Sequence, residues 1–125
     1  MQQKLPVPPR EAVFYEDEKT YACLATEPMA PGHTVVVWRA DAEDLHVLSR
    51  TDFEYLMDVV DRVRTAMLSA LTIEKVYLLY MDEVKQVHWH LVPRYNEKGL
   101  SAFQNPAATP GDYSLAVPLR TLVSK

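Results

Sequence analysis

The chain has one cysteine, Cys23, among its 125 residues. That excludes an intrachain disulfide and an all-cysteine zinc site, and leaves Cys23 to be read as a buried, inert thiol. Basic residues are not in excess either, and the formal net charge is −4. A general nucleic-acid binder carries the opposite balance, so no large nucleic-acid partner is expected. A local cluster such as Lys85, Arg94 and Lys98 can still hold a small anion. No stretch is apolar enough to cross a bilayer, which excludes a membrane partner of the spanning kind. The opening "MQQKLPVPPR" is broken by Pro6, Pro8 and Pro9 and contains no apolar core of signal-peptide length. These absences give the expectation of a cytoplasmic protein. Internal repeats and low-complexity segments are missing too.

What is present suffices for one domain over 1–125, since nearly half the residues are apolar. Residues 1–11 read as an N-terminal extension and 98–125 as a tail of loop plus a short strand or helix, because Pro106, Pro110 and Pro118 interrupt it. The runs "AVFYED" (12–17) and "TYACLAT" (20–26) are β-branched and aromatic, and the polar stretch Glu16 to Lys19 between them marks a hairpin turn. After the proline-punctuated "EPMAPG", the run "HTVVVWR" (33–39) is a strong strand signal.

Thr51 to Leu71 is the one long helix. Phe53, Leu56, Met57, Val60, Val63, Met67, Leu68 and Leu71 recur at three- and four-residue steps and form an apolar stripe. Thr51 with Glu54 has the capping-box pattern, and Asp58 faces Arg62 across one turn. Beyond the helix, "KVYLLYM" (75–81) and "VKQVHWHLVPR" (84–94) read as an antiparallel hairpin at the centre of a sheet, joined tightly at Asp82–Glu83. The order of elements predicts an α+β fold: an antiparallel five-stranded sheet with one long helix packed on it.

The stretch "QVHWHLVPR" carries the chemistry. A strand sends alternate side chains to opposite faces, so Gln86, His88, His90, Val92 and Arg94 share one face and Val87, Trp89, Leu91 and Pro93 the other. A neutral imidazole is a competent nucleophile toward phosphorus near neutral pH, provided an acceptor takes the proton on its second nitrogen. A main-chain carbonyl or the Gln86 amide fits that need for His88. Arg94, and secondarily Lys85 or Lys98, would offset phosphate charge. His46 reads as an ordinary surface or core histidine.

"VKQVHWHLVPR" resembles the signature of the histidine-triad (HIT) superfamily, in which three histidines alternate with apolar residues on the last core strand. "PGHTVVVWR" resembles that family's earlier histidine-led strand, with His33 in the matching place, and "VFYEDEKTYACL" is similar to its opening hairpin. The similarity covers roughly Ala12 to Tyr95. It implies a symmetric homodimer and a nucleotide-binding hydrolase or transferase that needs no cofactor. Such an enzyme cleaves a dinucleoside polyphosphate or nucleoside phosphoramidate through a nucleotidyl-histidine intermediate. By the motif His88 is the nucleophile, His90 the donor to phosphate or leaving group, and His33 a support from the neighbouring strand.

This chain departs from the pattern at three places. Gln86 stands where the first motif histidine would be, and is expected to orient the nucleophile or hold a phosphate oxygen. Ala25 occupies the usual ribose-binding position, with Glu27 nearby as a substitute. "MDEVK" replaces a glycine-rich stretch. Two other readings stay open: a nucleotide-binding module without turnover, and a metal protein in which His88 and His90, with His33, are the ligands.

Overall fold

Residues 4–123 are described by the computed structural model. The opening hairpin pairs β1 (Val13–Glu16) with β2 (Thr20–Leu24), and Asp17 organises its turn. One Asp17 oxygen, Oδ1, accepts from the N–H groups of Lys19 and Thr20 at 2.8 and 2.7 Å. The other accepts from the hydroxyls of Tyr15 and Tyr55, each at 2.7 Å. Partial burial works against the charge, but these donors more than offset it, and the carboxyl is held well below the usual carboxylate range. The turn is thereby locked to the long helix.

β3 (Thr34–Trp38), the helix α1 (Arg50–Ala70), β4 (Lys75–Leu79) and β5 (His88–Arg94) follow. The five strands lie in the order β1-β2-β3-β5-β4, every pair antiparallel. Register separates the faces. Val36 lies opposite Ala22 and Trp89, while Val35 lies opposite Cys23 and His90. The first set meets α1, where Ala22, Leu24, Val36, Trp38 and Leu91 pack with Leu56, Val59, Val60, Val63 and Met67 in the core. The second set is the face that carries Tyr21, Cys23, Val35, Val37, His88 and His90.

Several expectations are corrected. The helix begins at Arg50, with the Ser49 hydroxyl accepting from the Asp52 N–H at 3.1 Å, so the cap lies two residues before Thr51. Phe53 and Leu68 belong to the apolar stripe by spacing, yet they are 36% and 39% exposed at its edges. Arg62 does not settle on Asp58. It reaches the Tyr15 hydroxyl at 3.1 Å and lies over that ring, a hydrogen bond and cation–π contact that outweigh a surface helix pair.

The β4–β5 hairpin is not at the centre, for β4 is an edge strand and only β5 is flanked on both sides. Its connection is residues 80–87, so Gln86 precedes the strand. The tail after Lys98 is part of the structure: a short 3-10 segment (Gly99–Gln104) and then α2 (Ala116–Val123). α2 buries Ala116, Leu119 and Val123 in the core, and Arg120 donates to the Val13 carbonyl at 2.8 Å. Among the described residues no helix is long and apolar enough to cross a membrane.

Candidate active site

Three imidazoles converge on the sheet face opposite α1. His33 is 2% exposed and His88 4%. His33 Nε2 and His90 Nδ1 are 3.0 Å apart, and the rings of His88 and His90 are 5.1 Å apart between centroids. His33 stands just before β3 because of the residue ahead of it. Gly32 has φ +87°, and a Cβ there would come within 2.9 Å of Leu71 Cδ1. The sharp turn it makes possible lets Thr34 Oγ1 donate to the Gly32 carbonyl and sends His33 into the cleft.

The proton positions follow from the partners. The Met29 main-chain N–H donates to His33 Nδ1 at 3.0 Å, so that nitrogen is an acceptor and the ring proton sits on Nε2. His33 Nε2–H must then donate to His90 Nδ1, which leaves His90 with Nε2–H as the group it can present. His88 is fixed by a separate partner: its Nδ1 donates to the Gln86 main-chain carbonyl at 2.9 Å. The lone pair on His88 Nε2 is therefore free. Burial, then the neighbouring His90, pushes His33 down to about 3; burial, then His88, lowers His90 to about 4. Both rings stay neutral at neutral pH.

His33, His88, His90 and Glu27 line one cleft of about 390 Å³, together with Tyr21, Cys23, Val35 and Val37 from the sheet. A roomier cleft of about 500 Å³ lies beside α1, between Asp44, His46, Phe53 and Tyr80. Its one imidazole, His46, is surface-exposed and paired with Asp44, so volume does not mark the site and converging donors do.

The other sequence-derived residues are elsewhere. The Gln86 side chain turns away from the cleft and is bonded to the Leu5 N–H and the Trp38 carbonyl, so only its main chain serves the histidines. Arg94 has the right parity but sits past the fully buried Val92, paired at 3.5 Å with Glu74. Lys85 pairs with Glu43 in a different cleft, and Lys98 is exposed ahead of the 3-10 segment. Among the described residues lining the histidine cleft there is no lysine or arginine. None of these cations is set against the row, because β5 is long enough to carry Arg94 roughly 13 Å from His90. No group of three or more His, Cys, Asp or Glu among the described residues is arranged to hold a metal ion.

Sequence reasoning missed three contributors. Leu5, Pro6 and Pro8 wall the cleft from the N-terminal extension, and their apolar, proline-dense composition was the available signal. Val35 and Val37 share the parity of His33, so extending the period-two argument to β3 finds them. The Met29 N–H leaves no signal in sequence.

Residues 9–97 match the HIT domain family model. The chain is 28% identical over 91 residues to an uncharacterized HIT-like protein of Saccharolobus solfataricus, spanning 68% of this chain and 66% of that relative. A zinc-bound histidine triad family protein from Mycobacterium smegmatis superposes with a TM-score of 0.75 at 25% identity, covering 90% of this chain and 84% of that one. A hypothetical histidine triad nucleotide-binding protein from Sulfolobus tokodaii gives 0.73 at 21% identity over 90% and 83%. The sheet order, the histidine ahead of β3 and the pair on β5, and the matched span agree: the chain belongs to the HIT domain family.

Proposed function

We propose that this protein is a nucleotidyl hydrolase or transferase that works through a phosphorus–nitrogen bond to His88. The observation that carries it is the pairing of proton states. His88 offers a bare Nε2 because its Nδ1 proton is committed to the Gln86 carbonyl, and His90 offers an Nε2–H because its Nδ1 is committed to His33. A nucleophile and a hydrogen-bond donor thus stand side by side on one face, each held in the required tautomer.

In the first step the His88 Nε2 lone pair attacks phosphorus. The bond from phosphorus to the leaving oxygen or nitrogen breaks, and the electron pair departs with that group, which is capped by a proton from solvent so that no bare amide ion is released. His90 Nε2–H donates to a non-bridging oxygen as charge grows there. Water then attacks the nucleotidyl-histidine and gives up one proton to solvent; the P–N bond opens with its electron pair returning to His88 Nε2, and the nucleoside monophosphate leaves.

The charge of the cleft narrows the substrate. With His33 and His90 neutral, Glu27 at the wall and no lysine or arginine in the lining, it suits one singly charged phosphorus centre better than a run of phosphates. A nucleoside phosphoramidate therefore fits better than a dinucleoside polyphosphate.

The test is an assay without added metal on adenosine 5′-phosphoramidate and diadenosine tetraphosphate. Wild type should release AMP, His88→Ala should not, and acid-free quenching should trap an adenylyl group on His88. Equal background turnover by both proteins sinks the enzymatic reading and leaves a nucleotide-binding module without turnover.

A further inference from the structure

Residues 5–9, "LPVPP", are poor in main-chain donors, since Pro6, Pro8 and Pro9 have no N–H. Such a segment cannot join a sheet as a strand, so isolated bonds must hold it in place. The Leu5 N–H donates to Gln86 Oε1 at 3.0 Å, and Nε2 of the same amide donates to the Trp38 carbonyl at 3.4 Å. Gln86 is only 7% exposed, so its amide is a buried bridge from the end of β3 to the N-terminal segment. Lys4 adds an ion pair with Asp41, but both side chains are more than half exposed and water screens them.

The bridged segment divides two spaces. On one side Leu5, Pro6 and Pro8 face the histidine cleft, over Cys23 and Val37. On the other side lies a second cleft of about 360 Å³, with Lys4, Arg10, Arg39 and Gln86 in its lining. Leu5, Pro8 and Tyr21 border both. A proline-dense segment is already extended before it docks and loses little entropy in doing so. One well-buried amide is enough to hold it.

We propose that Gln86 is a positioning residue whose side chain clamps segment 4–9 across the sheet, making it a partition that closes the histidine cleft and limits what enters. The clamp explains why an amide serves at this position: an acceptor and a donor are both required, on opposite ends of one planar group. With the partition closed, a long polyanion cannot run from the histidines to Lys4, Arg10 and Arg39. That last consequence rests on the proposed nucleotide chemistry; the clamp does not.

Two measurements address the clamp without any ligand. In Gln86→Met, hydrogen exchange of the Leu5 amide should accelerate by about tenfold, the loss of its one part-buried hydrogen bond to the side chain. Cys23, the single thiol, lies in the cleft behind the partition, so its modification by a bulky aromatic disulfide reagent should accelerate by a similar factor. Leu5→Pro, which deletes the donor and keeps the segment extended, should speed Cys23 modification as much as Gln86→Met. Combining the two should add nothing further.

An unchanged Leu5 exchange rate in Gln86→Met overturns the clamp. Additive effects of the two substitutions on Cys23, or none, overturn the partition. With substrates, both variants should raise turnover of diadenosine tetraphosphate relative to adenosine 5′-phosphoramidate, and a constant ratio overturns the selective role. If wild type cleaves neither substrate, the nucleotide reading fails, and the exchange and thiol results still decide the clamp.

Discussion

The main-chain N–H of Met29 donates to His33 Nδ1 at 3.0 Å, and this one bond sets the direction of the hydrogen bond between His33 and His90. A ring nitrogen that accepts from an amide cannot carry the proton, so His33 Nε2 and, beyond it, His90 Nε2 are the protonated ends. The catalytic reading depends on that orientation.

His33→Leu should therefore lower turnover without abolishing it. His90 would lose its fixed tautomer, and only part of its population would present Nε2–H to the substrate. The expected loss is about tenfold in kcat, the worth of one orienting hydrogen bond of about 1.4 kcal/mol. KM should move less, because Tyr21, Val35, Val37 and the N-terminal wall remain. Steady-state kinetics on the phosphoramidate separates the two. A loss as complete as that of His88→Ala would mean His33 does more than orient its neighbour.

Stability should fall with pH in a defined window. His33 and His90 are held down at about 3 and about 4, chiefly by burial and then by a neighbouring imidazole (His90 for His33, His88 for His90), against an unfolded value near 6.5. Above pH 6.5 both states are neutral at these rings and nothing is gained or lost. As pH drops below 6.5 the unfolded chain takes up protons that the folded one refuses, and stability declines until the folded values are passed. Thermal unfolding from pH 7.5 to 4.5 should show Tm falling below pH 6.5, with a shallower slope in His33→Leu. Identical slopes would place the proton uptake elsewhere.

The fold was legible where local patterning and tertiary structure agree. The strands from Val13, Thr20 and Thr34 follow from β-branched and aromatic runs bounded by turn residues, the helix near Thr51 from period 3.6 and the histidine face of β5 from period two. What stayed hidden was set by distant partners. That Gln86 turns to Leu5, 81 positions away in the chain, is decided by a buried amide whose acceptor is met by the Leu5 N–H and whose donor is met by the Trp38 carbonyl. Parity places Val92 and Arg94 with the histidines but says nothing of the 3-10 segment that lies beside β5, where Phe103 packs on Tyr77. The Met29 N–H is invisible because every residue other than proline has one. The tail from Lys98 was legible only as loop plus a short strand or helix; α2 is that helix, and Pro118 falls in its first turn, where a missing N–H costs nothing.

Gly32→Ala should destabilise the protein by about 2 kcal/mol. The backbone there lies at φ +87°, where a side chain costs roughly 1–2 kcal/mol, and the new Cβ would press on Leu71 at the end of α1. Leu71 Cδ1 is the tip of a flexible side chain, so part of the clash can relax and strain dominates. Because His33 is the next residue, the relaxed backbone should also disturb the Met29–His33 bond. Urea unfolding gives the first effect, and the shallower activity loss relative to His33→Leu gives the second. An unchanged midpoint would show that the turn tolerates a Cβ.

The edge strand supports a prediction about assembly. β4 pairs with β5 on one side only, and Leu78 on it is 39% exposed, with Met81 just beyond at 54%. An unpaired strand edge with apolar neighbours is a pairing template unless something covers it, and two copies related by a twofold axis cover each other's. The expected state is a homodimer through β4, and light scattering at micromolar concentration should report twice the mass of the chain. Leu78→Lys places like charges against one another across the twofold axis and should halve that mass while leaving the far-UV spectrum unchanged. A monomeric wild type ends the idea, and a dimer that survives Leu78→Lys moves the interface to another face.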